Sequence, residues 1–135
     1  MRIVIADDQA MMRQLAKTIL ESDGFEVVGE ASNGKEAVEQ CQRLQPEIAV
    51  LDLAMPVMTG IDATREITRA CPETSVIILS VHTEEFLVRA SLRAGAKGYV
   101  SKAHAARELI EAIHAVRRAE TYLDSCISPR LAAAS

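Results

Sequence analysis

Aromatic residues are scarce in this sequence of 135 residues: they account for 3% of it, and tryptophan does not occur. Proteins that bind single-stranded nucleic acid use aromatic side chains as stacking surfaces for bases, so this class is nearly excluded. A core must instead be built from aliphatic side chains. The 49% of hydrophobic residues is enough for one domain with a real core.

Paired cysteines are also missing. The three cysteines, Cys41, Cys71 and Cys126, are odd in number, widely spaced, and form no CxxC motif. This pattern argues against both a disulfide framework and a zinc site. It favours small buried apolar side chains in a reducing compartment.

Long hydrophobic runs do not occur either. The chain goes from Met1-Arg2 directly into a short apolar segment, which is too short for a signal peptide, and no segment approaches the length of a membrane span. The sequence therefore predicts a cytoplasmic protein with no membrane partner.

The net charge of −4 is unevenly distributed. Residues 1–84 contain 7 basic and 14 acidic side chains, whereas residues 85–135 contain 8 basic and 5 acidic ones. The basic excess is too dilute to indicate a DNA-binding face. The acidic excess suggests carboxylates gathered around a cation.

Short apolar segments alternate with amphipathic helical patterns along the chain. The apolar segments are Arg2–Ala6, Glu26–Glu30, Ile48–Leu51, Val76–Leu79 and Gly98–Val100. The helical patterns lie at about Ala10–Ser22, after Ser32 or Asn33, at about Asp62–Ala70, from about Thr83–Glu85 to before Gly95, and at about Ala105–Ala119. This alternation predicts an α/β fold with a five-stranded parallel sheet of order 2-1-3-4-5 and helices on both faces.

Polar side chains follow four of the predicted strands at the points where they end. Asp7 and Asp8 follow the first strand and Asp52 the third, while Ser80 follows the fourth and Lys102 the fifth. The carboxyl ends of parallel strands meet at one edge of the sheet, so these side chains are expected to lie close together. A single aspartate after a strand is commonly a helix N-cap, but three aspartates on adjacent strand ends are harder to explain in that way.

Electrostatics indicates what such a cluster would bind. Two carboxylates about 5 Å apart repel each other by roughly 3 kcal/mol at an effective dielectric constant of about 20. A proton or a cation must compensate this repulsion, and a site with oxygen ligands suits Mg²⁺. Lys102 would offset the remaining charge and hold a phosphoryl oxygen.

The arrangement of these residues resembles the receiver domains of response regulators in two-component signalling. The motif consists of Asp7-Asp8, Asp52 with Met55-Pro56 and Gly60 behind it, Ser80, and Lys102. The resemblance covers nearly the whole chain. It implies that Asp52 is the phosphoacceptor, receiving its phosphoryl group from the phosphohistidine of a sensor histidine kinase or from a small phosphodonor.

The resemblance also implies a role for each neighbouring residue. Asp8 and Asp52 would bind Mg²⁺ directly together with the main-chain carbonyl of Ala54. Asp7 would act through water. Ser80 would bind the phosphoryl group, and Lys102 would neutralise it. Tyr99 matches the switch aromatic of the family, although a single tyrosine in a strand is also common as a core residue.

One subfamily matches more closely. The segments Gly98–Lys102 and Glu108–Ile113 resemble receivers of the NarL/FixJ type, whose output is a LuxR-type helix-turn-helix domain. Tyr122-Leu123, Ser128-Pro129 and Leu131-Ala132 resemble the beginning of their interdomain linker. The implied organisation is a receiver domain at residues 1–120 and the start of a linker at residues 121–135, with the output domain absent from this chain.

The implied function is transcriptional control by phosphorylation. A phosphorylation-dependent homodimer is expected, and DNA would be contacted only through the absent output domain. Phosphoryl transfer to Asp52 and its hydrolysis would be self-catalysed, so the chain is not expected to be an enzyme in the usual sense.

Three other functions are compatible with parts of this pattern. A stand-alone receiver that signals only through protein partners is the main alternative. An aspartate-based phosphohydrolase would need a second aspartate two positions after the nucleophile, where this chain has Ala54. A flavodoxin-like nucleotide-binding module would need a loop rich in Gly, Ser or Thr after the first strand, where Asp7 and Asp8 would repel phosphates unless a metal were bound.

Overall fold

Buried apolar segments form the parallel strands of one sheet in the computed structural model, which describes residues 1–127. The strands are β1 (Arg2–Ala6), β2 (Glu26–Ala31), β3 (Ile48–Leu51), β4 (Ser75–Ser80), β5 (Gly98–Ser101) and β6 (Tyr122–Leu123). Every residue of β3 and of β5 is buried, as expected for strands covered on both faces.

The order of the strands across the sheet is β2-β1-β3-β4-β5-β6. The predicted fold class and the predicted order of the first five strands are confirmed. The sixth strand was not predicted, because two residues carry no periodic pattern. It pairs with the edge of β5, where Tyr122 lies opposite Gly98 and Leu123 opposite Tyr99.

Five α-helices connect the strands in residues 1–127. They are α1 (Ala10–Ser22), α2 (Gly34–Leu44), α3 (Gly60–Ala70), α4 (Glu85–Ala94) and α5 (Ala105–Arg117), and a single 3-10 turn at Lys102–His104 precedes α5. The third helix begins two residues earlier than predicted because the Thr59 hydroxyl accepts a hydrogen bond from the Asp62 N–H at 3.3 Å. The fifth ends two residues earlier, shortly before Ala119 adopts a left-handed φ of 63°.

The core consists of two aliphatic layers, one on each face of the sheet. Alternate residues of β1 illustrate the division: Val4 packs in the layer formed with α2, α3 and α4, and Ile3 in the layer formed with α1 and α5. The same alternation in β5 places Tyr99 in the first layer and Val100 in the second. Tyr99 is fully buried. Tyr99 therefore packs among non-aromatic side chains in this layer of the core.

The folded unit continues past the predicted domain end at residue 120. The buried carboxylate of Asp124 accepts a hydrogen bond from the Ser101 N–H at 3.0 Å, and Ile127, at 1% exposure, belongs to the core. Residues 122–127 therefore pack on the domain. Ser128-Pro129 and Leu131-Ala132 lie outside the described residues, and the predicted linker stays a prediction.

Glu108 fastens this C-terminal segment to α5. Its side chain is 3% exposed and accepts hydrogen bonds from the Tyr122 hydroxyl at 2.6 Å and from both the N–H and the hydroxyl of Ser125 at 3.0 and 2.6 Å. Burial alone would raise the pKa of Glu108, but these hydrogen bonds outweigh burial and lower it.

Glu108→Gln is expected to lower the free energy of unfolding by about 1–2 kcal/mol at neutral pH, since it removes the charge from these buried hydrogen bonds. A carboxyl with a lowered pKa in the folded state stabilises that state above its ordinary pKa, and the contribution disappears as the pH falls through the lowered value. The difference between wild type and variant should therefore shrink below about pH 4.5.

Urea unfolding at several pH values measures this difference. Glu39→Gln, at an exposed position of α2, is the matched control and should change little. A difference that stays constant down to the lowest pH at which the protein folds would contradict the proposed charge effect.

Candidate functional site

The carboxyl ends of the central strands bring three charged side chains into direct contact. Asp7 follows β1, Asp52 follows β3, and Lys102 follows β5. The Lys102 Nζ lies 2.7 Å from Asp7 Oδ2 and 3.2 Å from Asp52 Oδ2. All three side chains are at most 7% exposed, so this ion-pair group is buried beneath the edge of the sheet.

The main chain fixes both carboxylates. The sheet hydrogen bonds extend to the aspartates, since the Asp52 N–H donates to the Ala6 carbonyl at 2.9 Å and the Asp7 N–H to the Ala31 carbonyl at 3.0 Å. Asp52 Oδ1 then accepts from the N–H of Leu53 at 2.8 Å. Asp7 Oδ1 likewise accepts from the N–H of Gln9 at 2.9 Å. Each carboxylate thus uses one oxygen for the main chain and presents the other to Lys102.

Gly60 allows the Asp52 loop to fold back on itself. Its N–H donates to the Leu53 carbonyl at 2.9 Å, and a Cβ atom at this position would overlap the carbonyl oxygen of Asp52. The glycine therefore permits the close approach of α3 to the loop that carries the predicted phosphoacceptor.

Asp8 completes the cluster from the solvent side. Its side chain is exposed, and its carboxylate lies with those of Asp7 and Asp52 so that one oxygen from each is within 4.8 Å of the others. The residue that begins α1 as its N-cap is Gln9. The alternative explanation of Asp8 as the helix cap is therefore not supported.

The site has an excess of negative charge. Burial raises the pKa of Asp52, and the nearby Asp7 raises it further, although Lys102 opposes both effects. Burial lowers the pKa of Lys102, but its contacts with Asp7 and Asp52 more than compensate and raise it. Lys102 is the ammonium group in contact with two of the three carboxylates of the cluster. A divalent cation would restore the balance.

The donor set fits a hard cation such as Mg²⁺. Asp8, Asp52 and Ala54 line one cleft of about 240 Å³ together with Lys102. Carboxylates and main-chain carbonyls are oxygen ligands that Mg²⁺ takes, and an open cleft leaves room for the water molecules that the ion retains.

Ser80 and Tyr99 meet at a second point beside this cleft. The hydroxyl oxygen of Ser80, which is fully buried, accepts a hydrogen bond from the His82 N–H at 3.0 Å. The Tyr99 hydroxyl donates to the carbonyl of the same His82. Burial raises the pKa of Tyr99 to about 12, so its hydroxyl remains a donor at neutral pH.

The structure thus divides the predicted site residues into two groups. Asp7, Asp8, Asp52 and Lys102 form the charged cluster, whereas Ser80 and Tyr99 are linked through the main chain of His82. The part played by His82 was missed because a main-chain contact leaves no trace in side-chain identity. Its own side chain is 44% exposed.

Comparison with known proteins identifies the arrangement. A model of the response regulator receiver domain matches residues 3–114. The chain belongs to this family.

Two relatives of this receiver domain differ in length. The chemotaxis protein CheY of Thermotoga maritima is 39% identical over 117 residues, which cover 87% of this chain and 98% of that protein. The response regulator UvrY of Escherichia coli is 37% identical over 131 residues, which cover 96% of this chain and 60% of that protein. The chain therefore spans nearly all of one relative and less than two thirds of the other.

Solved structures agree with the predicted subfamily. A two-component response regulator of the LuxR family from Aurantimonas sp. SI85-9A1 superposes with a TM-score of 0.92 at 31% identity, covering 97% of this chain and 94% of that one. The resemblance to receivers of LuxR-type regulators is confirmed.

Within residues 1–127, no helix has the length and apolar character needed to cross a membrane.

Asp8→Ala is expected to keep or raise the melting temperature of the metal-free receiver domain, because it removes repulsion of roughly 1–3 kcal/mol among the carboxylates. Mg²⁺ binding should weaken in the same variant. Thermal unfolding with and without Mg²⁺ tests both effects, since a ligand that binds the folded state raises its melting temperature. Asp23→Ala, at an exposed position after α1, serves as control and should retain the full Mg²⁺ effect. A lower melting temperature with an undiminished Mg²⁺ effect would show that Asp8 has a structural role instead.

Proposed function

We propose that this receiver domain accepts a phosphoryl group on Asp52 with Mg²⁺ bound beside it. The observation that carries the proposal is the setting of the Asp52 carboxylate. It is fixed by the Leu53 N–H, paired with Lys102 and open to the cleft that Asp8 and Ala54 also line. A nucleophile, a cation site and a charge-neutralising ammonium group therefore adjoin one volume.

In the proposed reaction, a carboxylate oxygen of Asp52 attacks the phosphorus of a phosphohistidine on a sensor kinase. The new O–P bond forms as the P–N bond breaks, and the imidazole of the donor takes up a proton. Asp8, Asp52 and the Ala54 carbonyl would hold Mg²⁺ directly, and Asp7 would hold it through water. The ion supplies positive charge that brings an anionic donor to an acidic cleft and stabilises the phosphoryl group in transfer.

Lys102 has a different task before and after transfer. Before transfer it neutralises part of the charge on Asp7 and Asp52, at 2.7 and 3.2 Å, and keeps both carboxylates in place. After transfer its ammonium group is within reach of an oxygen of the new phosphoryl group. One cation thereby serves both states without a large movement.

The Ser80–His82–Tyr99 contacts suggest how the modification is relayed. When the Ser80 hydroxyl turns to the phosphoryl group, it gives up its bond from the His82 N–H. The main chain of His82 also holds the Tyr99 hydroxyl and leads into α4, which begins at Glu85. The surface affected would be that of α4, β5 and α5.

The proposed output is control of transcription through homodimerisation or through a DNA-binding domain in a longer protein. UvrY, of which the chain spans 60%, leaves room for such a further domain. CheY, of which it spans 98%, supports the alternative of a receiver that acts on protein partners alone. The LuxR-family structural neighbour favours the first.

Incubation with Mg²⁺ and acetyl phosphate or phosphoramidate is expected to add one phosphoryl group that hydroxylamine removes, as for an acyl phosphate. Asp52→Asn should abolish the modification, since an amide is neither a nucleophile here nor a good Mg²⁺ ligand. Asp62→Asn, at an exposed position of α3, should be modified as fully as wild type. Intact-mass spectrometry provides the measurement. Full modification of the Asp52→Asn variant would refute the assignment.

Beryllofluoride, a mimic of the phosphoryl group, should shift the monomer–dimer equilibrium of the domain by about 5-fold or more, which corresponds to a coupling of about 1–3 kcal/mol. Sedimentation measures the shift, and Ser80→Ala should reduce it because the relay begins at that hydroxyl. The domain alone should bind DNA weakly. An unchanged monomer, without NMR shift changes near Tyr99 and α4, would contradict the output mechanism but leave the phosphoacceptor assignment intact.

A further inference from the structure

A second cluster of side chains of the types that bind metals lies beside β5, on the side of β6. It joins two segments: His104 ends the 3-10 turn before α5, and Asp124 and Cys126 lie in the stretch that follows β6. The His104 Nδ1 lies 3.0 Å from both carboxylate oxygens of Asp124 and 3.9 Å from the Cys126 Sγ. One donor atom from each residue lies within 4.8 Å of the other two.

The geometry is that of donors converging on one point. A Cys-His-Asp catalytic triad would use the two ring nitrogens of histidine, one for the thiol and one for the carboxylate. Here the same nitrogen, Nδ1, faces both partners. Ligand bonds of about 2.0–2.3 Å in a tetrahedral zinc site set neighbouring donors roughly 3.3–3.6 Å apart. Shifts of a few tenths of an ångström would bring the His104–Asp124 and His104–Cys126 separations to these values.

The charges around the cluster also favour a cation. Two carboxylates are buried here, Asp124 at 0% and Glu108 at 3% exposure, and Glu108 Oε2 lies 3.8 Å from His104 Nδ1. Among the described residues, the basic groups paired with them are His104 and Arg107, and the Arg107 side chain is 67% exposed. Buried negative charge therefore exceeds buried positive charge at this point, independently of the donor geometry.

The carboxylate of Asp124 is held in place as a metal ligand would be. Its oxygens accept hydrogen bonds from the N–H groups of Ser101 at 3.0 Å and of Cys126 at 2.9 Å. Hydrogen bonds of this kind orient the side chains that bind the ion directly in metal sites. Cys126 is exposed and His104 partly so, which gives an ion a path of entry.

We propose that His104, Asp124 and Cys126 bind a transition-metal ion of the zinc type, with a fourth position open to water. A nitrogen and a thiolate select such an ion over Mg²⁺, whereas the oxygen donors of the Asp7–Asp8–Asp52 cluster do the opposite. The two sites would thus take different metals. The spacing of the cysteines along the chain does not indicate this site, because the partners of Cys126 are a histidine and an aspartate.

An ion at this position would tie the C-terminal segment to the main chain beside the charged cluster. His104 lies two residues after Lys102, and Asp124 accepts a hydrogen bond from the N–H of Ser101, the residue before Lys102. Metal binding would therefore fix the short stretch 101–104 from both sides. None of the three proposed ligands belongs to the group of residues proposed for phosphoryl transfer.

Cobalt(II) titration in the presence of saturating Mg²⁺ tests the proposal, since a cobalt–thiolate bond gives a charge-transfer absorption band in the near ultraviolet. Wild type should bind one Co²⁺ with this band, and Zn²⁺ should displace it. Cys126→Ser should remove the band, and His104→Ala should weaken binding at least ~10-fold. Both variants keep the Asp124 carboxylate and its main-chain donors, and circular dichroism verifies that they fold.

Two control variants locate the ion. Both should bind Co²⁺ as wild type does. They are His114→Ala, at an exposed position of α5, and Asp8→Ala, in the Asp7–Asp8–Asp52 cluster. Absence of saturable Co²⁺ binding by folded wild type would overturn the proposal. A thiolate band that persists in Cys126→Ser would also overturn it, as would binding that is lost in Asp8→Ala but retained in His104→Ala.

Discussion

The ammonium group of Lys102 holds together two buried carboxylates that belong to different strands, and the arrangement of the whole sheet edge depends on this contact. Asp7 follows β1, Asp52 follows β3, and Lys102 begins the turn after β5, so one buried ion-pair group ties three strand ends. Removing one member of such a group leaves a buried charge without a partner, which costs more than the group contributes when intact. The geometry around Asp52, the proposed phosphoacceptor, is thus a property of the fold as well as of the site.

Sequence reasoning was most successful where a physical pattern extends over several residues. The uninterrupted apolar segment Ile48–Leu51 predicted a strand buried on both faces, and the structure confirms it. The charged residues after β1, β3 and β5 were correctly expected to converge, because parallel strands share one edge. In contrast, β6 consists of two residues and gave no periodic signal, and the role of His82 rests on main-chain atoms. Contacts that do not depend on side-chain identity cannot be inferred from residue types.

The turn that follows β5 serves two chemically different neighbourhoods. Lys102 extends to the oxygen-rich cluster of Asp7 and Asp52, and His104 extends to Asp124 and Cys126 on the other side. Ser101 connects them, since it precedes Lys102 and its N–H is bound by Asp124. Four consecutive residues, 101–104, therefore belong to both environments. The turn is thus held by side-chain contacts on both of its sides.

The short strand β6 also affects how the chain assembles during translation. Because Tyr122 and Leu123 pair with Gly98 and Tyr99, the outer edge of β5 stays uncovered until α5 and the residues after it have left the ribosome. Open strand edges recruit other polypeptides, and nascent chains are vulnerable to such pairing. The Glu108 contacts that hold residues 122–125 on α5 keep β6 against this edge in the folded domain. A carboxylate in a helix thereby helps to cover a strand edge that would otherwise be open to neighbouring chains.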